Sequence, residues 1–297
     1  MTGSREPRVT LGLPVYNGAD YLSQALDSVL AQDFTDFELL IRDNASTDST
    51  EEIARGYVEH DPRIHYERNE RNLGGAVNSN LLLDEARGEL FKWVYHDDLM
   101  HSSAIRRCVE VLDERGADTV LAFPRVRLIN SAGDVTGEHD DADLHVDSDE
   151  VADRIRTLLV KFVTQTQFGV MRTEAARAAG GTCADVAGEM VLPLALALRG
   201  KLALVPEQLL SIREHEDRHG GDRASEAAWV NPDRPRAVFP YSRATPLFLR
   251  TVADAPLTAS QRRSCYSVIL RHFTLPNIKT VFGDVIRLPW DAGWLAR

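Results

Sequence analysis

Residues 90–98 read Leu90-Phe91-Lys92-Trp93-Val94-Tyr95-His96-Asp97-Asp98. The largely apolar run from Leu90 to Val94 has the length and composition of a buried strand, and it stops at a polar cluster ending in two adjacent carboxylates. The same arrangement recurs upstream. Val9 to Pro14 is an apolar run that stops at Pro14-Val15-Tyr16-Asn17-Gly18, and Phe37 to Ile41 is another that ends at Asp43-Asn44. Between these runs the apolar period changes to that of a helix, with Tyr21, Leu22, Ala25, Leu26, Val29 and Leu30 on one face.

Further elements follow in the same rhythm. Ser46 to Glu52 places N-cap residues before acids, which predicts a helix start with Asp48 or Ser49 as the cap. Ile64 to Tyr66 reads as a short strand, and Val77, Leu81, Leu82 and Ala86 as a helix. A further helix starts near Ser102 or Ser103, and Thr119 to Phe123 reads as a fifth strand. Strands alternating with helix-length segments predict an α/β fold, with a mostly parallel central sheet flanked by helices. Beyond it, Val126 to Val135 reads as a hairpin around Ser131-Ala132-Gly133, and Glu138 to Glu150, with seven carboxylates, as a solvated loop or lid. Val151 to Phe162 and Glu189 to Arg199 read as helices; Phe168 to Met171, Leu202 to Pro206 and Leu209 to Ile212 read as strands. Helical stretches resume near Leu247 to Val252 and Gln261 to His272.

The chain has 297 residues, 43% hydrophobic and 27% charged, proportions that suit one large globular domain with or without an appendage. No apolar run approaches the roughly 20 residues of a membrane span. Met1 to Arg8 lacks the apolar core of a signal peptide, so the expected location is cytoplasmic. A net charge of −11 argues against nucleic-acid binding, which needs a basic surface. Cys108, Cys183 and Cys265 have neither zinc spacing nor a disulfide framework and read as free thiols.

In an open parallel sheet the carboxyl ends of the strands share one edge, where ligands bind. Tyr16-Asn17, Asp43-Asn44 and His96-Asp97-Asp98 can therefore face one crevice. Adjacent carboxylates there suit Mg²⁺ or Mn²⁺, which takes one or two protein acids and completes its shell with phosphate and water. Simpler readings stand beside this one: Asp97-Asp98 as a turn cap, Asp43-Asn44 as an ordinary turn, and Ser46 to Ser49 as a helix cap. Trp93 reads as a core residue, and His96 equally as a ligand contact or a turn residue.

In order and spacing, Leu11-Gly12-Leu13-Pro14-Val15-Tyr16-Asn17, then Ser28, Gln32 and Asp43-Asn44-Ala45-Ser46-Thr47-Asp48, resemble the signature of the family 2 inverting glycosyltransferases. Asn72-Leu73-Gly74-Gly75 with Asn80, then Gly88 and Asp97-Asp98, continue the resemblance, which spans roughly residues 8–216. It implies a Rossmann-like GT-A fold and a nucleoside-diphosphate sugar donor, with UDP or dTDP favoured. Pro14, Val15, Tyr16, Asn17 and Asp43 are then expected at the nucleoside base, and Asn44, Asn72, Gly74, Asn80 and His96 elsewhere in the donor site. Asp97 falls near the ribose and diphosphate, with Asp98 as the main metal ligand. Two residues depart from the pattern: Asn44 replaces a frequent second Asp, and Tyr95 a frequent first acid. The family places its base at the start of a helix about eleven positions before a Gly. Here that position is Glu189, ahead of Gly200, with Gly188 replacing the usual preceding acid and Asp185 held in reserve. Arg213-Glu214-His215 resembles the family's Arg-x-His, which makes His215 a second candidate metal ligand.

The expected organisation is a glycosyltransferase domain over residues 1–216, split into a nucleotide-sugar half (1–124) and an acceptor half (125–216). Residues 217–297 form a helical extension that covers the acceptor site or builds a homodimer. The expected activity is inverting transfer to a natural product or a surface-glycan precursor. Two competing readings are a sugar nucleotidyltransferase and a non-catalytic nucleotide-sugar-binding module. The first is disfavoured because Pro14 to Gly18 carries no basic residue to grip a triphosphate; the second is disfavoured by the intact Asp97, Asp98 and Glu189.

Overall fold

A computed structural model of the chain describes residues 6–139, 144–161, 165–183, 188–215 and 240–279. Strand β1 (Val9–Val15) is buried on both faces, which is why it reads as an unbroken apolar run. It pairs in parallel with β2 (Phe37–Asp43) on one side and β4 (Leu90–Trp93) on the other, and β2 pairs in parallel with β3 (Ile64–Arg68). Helices α1 (Ala19–Leu30), α2 (Thr50–His60) and α3 (Gly75–Glu85) make the crossovers. The polar ends of β1, β2 and β4 consequently share one edge, as the strand-end pattern predicts. The N-cap of α2 is Ser49, whose side chain makes no capping hydrogen bond; Asp48 Oδ1, one residue earlier, accepts from Thr50 N.

The downstream half departs from the expected order. The short β8 (Val170–Arg172) inserts antiparallel between β4 and β6 (Thr119–Ile129), so the fifth strand is not a neighbour of the fourth. Strand β6 runs on through the expected hairpin arm and pairs with β7 (Val135–Glu138). The two strands expected at 202–206 and 209–212 are one, β9 (Lys201–Arg213). Pro124 faces Val205 and Arg125 faces Gln208, so Pro206 and Glu207 bulge out of the ladder. Proline is tolerated in a strand at such a bulge. Strand β5 (Leu99–Met100), which begins directly after Asp98, pairs antiparallel with Leu210 and Ser211 of β9. This pairing brings the end of β9 to the Asp97-Asp98 turn.

Two cores flank the sheet. One joins Leu22, Leu26 and Val29 of α1 to Ile105, Cys108 and Leu112 of α4 (Ala104–Arg115). The other gathers α3, α5 (Val151–Lys161), α6 (Thr173–Ala179) and α7 (Gly188–Ala197) around Trp93, which is a core residue as expected. The carboxy-terminal helices α8 (Pro240–Ala253) and α9 (Ala259–Ile269) add Phe248, Val252, Cys265 and Ile269 to that second core. The described part of the extension is thus helical and packed into the body of the protein. The acidic stretch is less solvated than its charge suggests, because Leu144 and Val146 are buried and Leu202 N donates to Val146 O. All three cysteines are free. Among the described residues no helix is long and apolar enough to cross a membrane.

Candidate active site

The loops after β1 and β2 are joined by hydrogen bonds. Asn17, at φ 51°, donates its N–H to Ser46 Oγ at 2.9 Å and accepts from Thr47 N through Oδ1 at 2.7 Å. Gly18 N donates to Thr50 Oγ1, and Ala19 N to Asp48 Oδ2. Burial works to raise the Asp48 pKa, but the donors at Thr50 and Ala19 hold it below the usual carboxylate range. Val15 points its side chain into the core and accepts from Asn44 N through its carbonyl. Pro14 is half-buried, and Tyr16 is exposed at the rim.

Asp43 is fully buried, and its carboxylate accepts from Ser46 N at 2.8 Å and Tyr66 Oη at 2.7 Å. Burial and the adjacent Asp43 push the Tyr66 phenol above its ordinary pKa. Asn44 accepts from Leu73 N and Asn69 Nδ2 through Oδ1, and donates through Nδ2 to Asn72 Oδ1. Asn72 Oδ1 also takes Gly74 N, and Gly74, at φ 86°, turns the chain into α3. The replacement of a frequent Asp by Asn44 thereby has a local reason: a carboxylate cannot donate to Asn72. Asn80 holds Thr182, accepting from its N–H and hydroxyl and donating to its carbonyl.

The turn after β4 meets the end of β9. Asp97 Oδ2 lies 3.2 Å from His215 Nε2, both groups being largely shielded. Asp98 is buried, and its Oδ1 accepts from Arg213 N at 3.1 Å. Of the two adjacent carboxylates, His215 faces that of Asp97. The His215 ring also packs 5.0 Å from Tyr21 of α1. His96 fills the space over Gly18, where a Cβ would come within 2.6 Å of the imidazole. Burial pushes the His96 pKa down, against the pull of Asp97. No three His, Cys, Asp or Glu side chains among the described residues close around one point.

Tyr95, in the same turn, packs toward the segment that precedes β8. Its ring packs edge-on against Phe168 at 5.3 Å. Burial, reinforced by Asp98, Glu189 and Asp97 nearby, pushes its phenol above the ordinary pKa. Glu189 is exposed in the first turn of α7, where the helix dipole favours a carboxylate. Gly188 has a steric reason: a Cβ there would lie 2.1 Å from Cys183 O. Asp185, the reserve base, lies outside the described residues. The sequence reading passed over Tyr21 and the Arg213 side chain: Tyr21 has the spacing of a core helix residue, and the Arg-x-His run drew attention only to its histidine.

The sequence model of Glycosyl transferase family 2 matches residues 10–176, more than half of the chain. The chain belongs to glycosyltransferase family 2. Among its relatives, an uncharacterized glycosyltransferase of Rickettsia typhi is 32% identical over 124 residues, covering 42% of this chain and 38% of the relative. The putative teichuronic acid biosynthesis glycosyltransferase TuaG of Bacillus subtilis is 34% identical over 110 residues, covering 37% of this chain and 44% of TuaG. In both cases the matched part spans less than half the relative's length. The fold is that of solved GT-A enzymes. S. aureus TarS 1–349 in complex with UDP-GlcNAc superposes with a TM-score of 0.68 at 18% identity, over 93% of this chain and 79% of TarS. The mannosyltransferase PcManGT from Pyrobaculum calidifontis, in complex with GDP-Man and Mn²⁺, gives 0.56 at 16% identity, over 97% and 88%.

Proposed function

We propose that this family 2 protein is an inverting glycosyltransferase that uses a nucleoside-diphosphate sugar and a divalent cation. The observation that carries the reading is the contact between Asp97, in the turn after β4, and His215, just beyond the end of β9. In this reading Asp97 and Asp98 serve the donor, and Glu189, exposed in the first turn of α7, serves the acceptor. The fit to a metal rests on the donor set. Asp97 and His215 present a carboxylate oxygen and an imidazole nitrogen 3.2 Å apart, with Asp98 next in the same turn; these residues would hold Mn²⁺ or Mg²⁺, with diphosphate oxygens and water completing the shell. When bound, the cation offsets the diphosphate's charge and eases its departure.

In the transfer step Glu189 takes the proton from an acceptor hydroxyl. The hydroxyl oxygen bonds to the anomeric carbon from the face opposite the leaving group. The bond from that carbon to the diphosphate oxygen breaks, its electron pair leaves with the nucleotide, and the configuration inverts. Tyr16, at the rim of a preformed crevice, is the open side chain beside the nucleoside, while Asn17, Asp43, Asn44 and Asn72 hold the crevice in shape.

A UDP-sugar is the first donor to test, because the TarS structures contain UDP and UDP-GlcNAc; a dTDP-sugar is the second. The acceptor class favoured is a hydroxyl of a surface-glycan precursor, the kind of product in whose biosynthesis TuaG is placed. The test is a panel of nucleotide sugars followed by proton NMR for donor cleavage and anomeric configuration. An α-linked donor is expected to give a β-configured first product, and Asp98→Ala to abolish turnover. A retained configuration, or near-normal turnover by Asp98→Ala at saturating Mn²⁺, would overturn the reading.

A further inference from the structure

Arg213 is the last residue of β9 and has no exposed surface. Burying a guanidinium is costly unless its donors are matched, and here they are matched by three separate segments. Nε donates to Asp97 O at 2.9 Å. One terminal nitrogen donates to Asn130 O at 3.1 Å and Ser131 O at 3.0 Å, in the turn between β6 and β7. The other donates to Gln24 Oε1 at 2.9 Å on α1. The guanidinium carbon lies 4.5 Å from the centre of the Tyr21 ring, and that same ring packs against His215.

Asp97 is thereby held at both ends by one stretch of chain. Its carbonyl is fixed by Arg213, and its carboxylate meets His215 two residues further on. Asp98 is fixed by the backbone of Arg213. We propose that Arg213 is the positioning residue of the Asp97–His215 pair. By tying α1, the 130–131 turn and the Asp97 carbonyl to one rigid fork, it sets how the carboxylate and imidazole face a divalent cation. This inference rests on the metal-assisted reading of the site. Lysine carries the same charge, but a single ammonium on a flexible stem cannot engage three segments in fixed directions.

The test measures Mn²⁺ binding by EPR of the free ion, with and without UDP, on the unsubstituted protein, Arg213→Lys and Gln24→Ala. Arg213→Lys is expected to weaken Mn²⁺ binding about tenfold or more, the usual effect of losing an outer partner of a ligand. The Mn²⁺ concentration for half-maximal donor hydrolysis is expected to rise by a similar factor, with kcat largely recovered at saturating metal. Gln24→Ala removes one contact from the exposed side of α1, and an about threefold loss of Mn²⁺ affinity is expected, with at most a small fall in Tm because water can reach the vacated acceptor position. Should Arg213→Lys fail to fold, Gln24→Ala decides alone. Unchanged Mn²⁺ affinity in the folded variants, whatever their Tm, would overturn the inference and leave the metal reading intact. Absence of Mn²⁺ binding by the unsubstituted protein would remove both.

Discussion

The donor-side edge and the wall that carries Glu189 are built in different ways. On the donor side nearly every polar side chain is already hydrogen-bonded to protein: Asn17 to Thr47, Asp43 to Ser46 and Tyr66, Asn44 to Asn69, Leu73 and Asn72. Glu189, by contrast, is exposed at the start of α7, beside a Gly188 that packs against Cys183. The difference teaches a division of labour. A nucleotide presents the same shape at every turnover, so its cleft gains from being formed in advance. In the proposed reading, a base at Glu189 that has to meet an acceptor hydroxyl gains from standing open to solvent.

That contrast is most exposed to test at Glu189. Glu189→Gln keeps the size of the side chain and removes its basicity, so kcat is expected to fall about 10²–10⁴-fold. Nucleotide binding, measured by calorimetry, should stay unchanged. A fall in nucleotide affinity with little loss of kcat would merge the two sides into one.

The next effect concerns the junction of β4 and β8, where buried Lys92 of β4 donates to Phe168 O just before β8. Burial lowers its pKa to about 8, against the opposing pull of Cys108 and Asp98. Above that value the folded protein releases a proton that the unfolded chain keeps, so stability rises with pH up to the ordinary lysine range. Lys92→Met removes this titration. Its stability advantage over the parent protein should shrink by about 2 kcal/mol between pH 8 and 10 in denaturant melts. Parallel stability curves would show that burial at this junction does not shift the lysine.

The smallest effect lies in the preformed cleft. Ala45 has φ 65°, a conformation that L-residues adopt at a cost. Ala45→Gly relieves it and is expected to stabilise by about 0.5 kcal/mol, net of the entropy glycine adds to the unfolded chain. A lower Tm would mean that the loop gains nothing from relief at this position.

Legibility in the sequence follows the same division. The ends of β1, β2 and β4 are readable because fully buried parallel strands are unbroken apolar runs, and each stops at a polar cluster. The insertion of β8 is not readable, because three residues carry no period and their pairing is decided by distant strands. Pro206 reads as a strand end, yet the ladder passes it by a bulge. Asp97, Asp98 and His215 are readable as residue types in a familiar spacing, whereas the choice of Asp97 as the partner of His215 depends on how β5 pairs with β9. Arg213 is hidden for a physical reason: an arginine is ordinarily exposed, and nothing local marks the one whose acceptors come from three other segments.

The central claim, a cation-dependent nucleotide site at Asp97, Asp98 and His215, is tested most directly by calorimetry of UDP with and without Mn²⁺, on the parent protein and on Asp97→Ala. The account predicts UDP binding that Mn²⁺ strengthens by at least about tenfold, with that gain lost in the variant. Equal UDP affinity with and without Mn²⁺ in the parent protein, or an undiminished Mn²⁺ effect in Asp97→Ala, would contradict it.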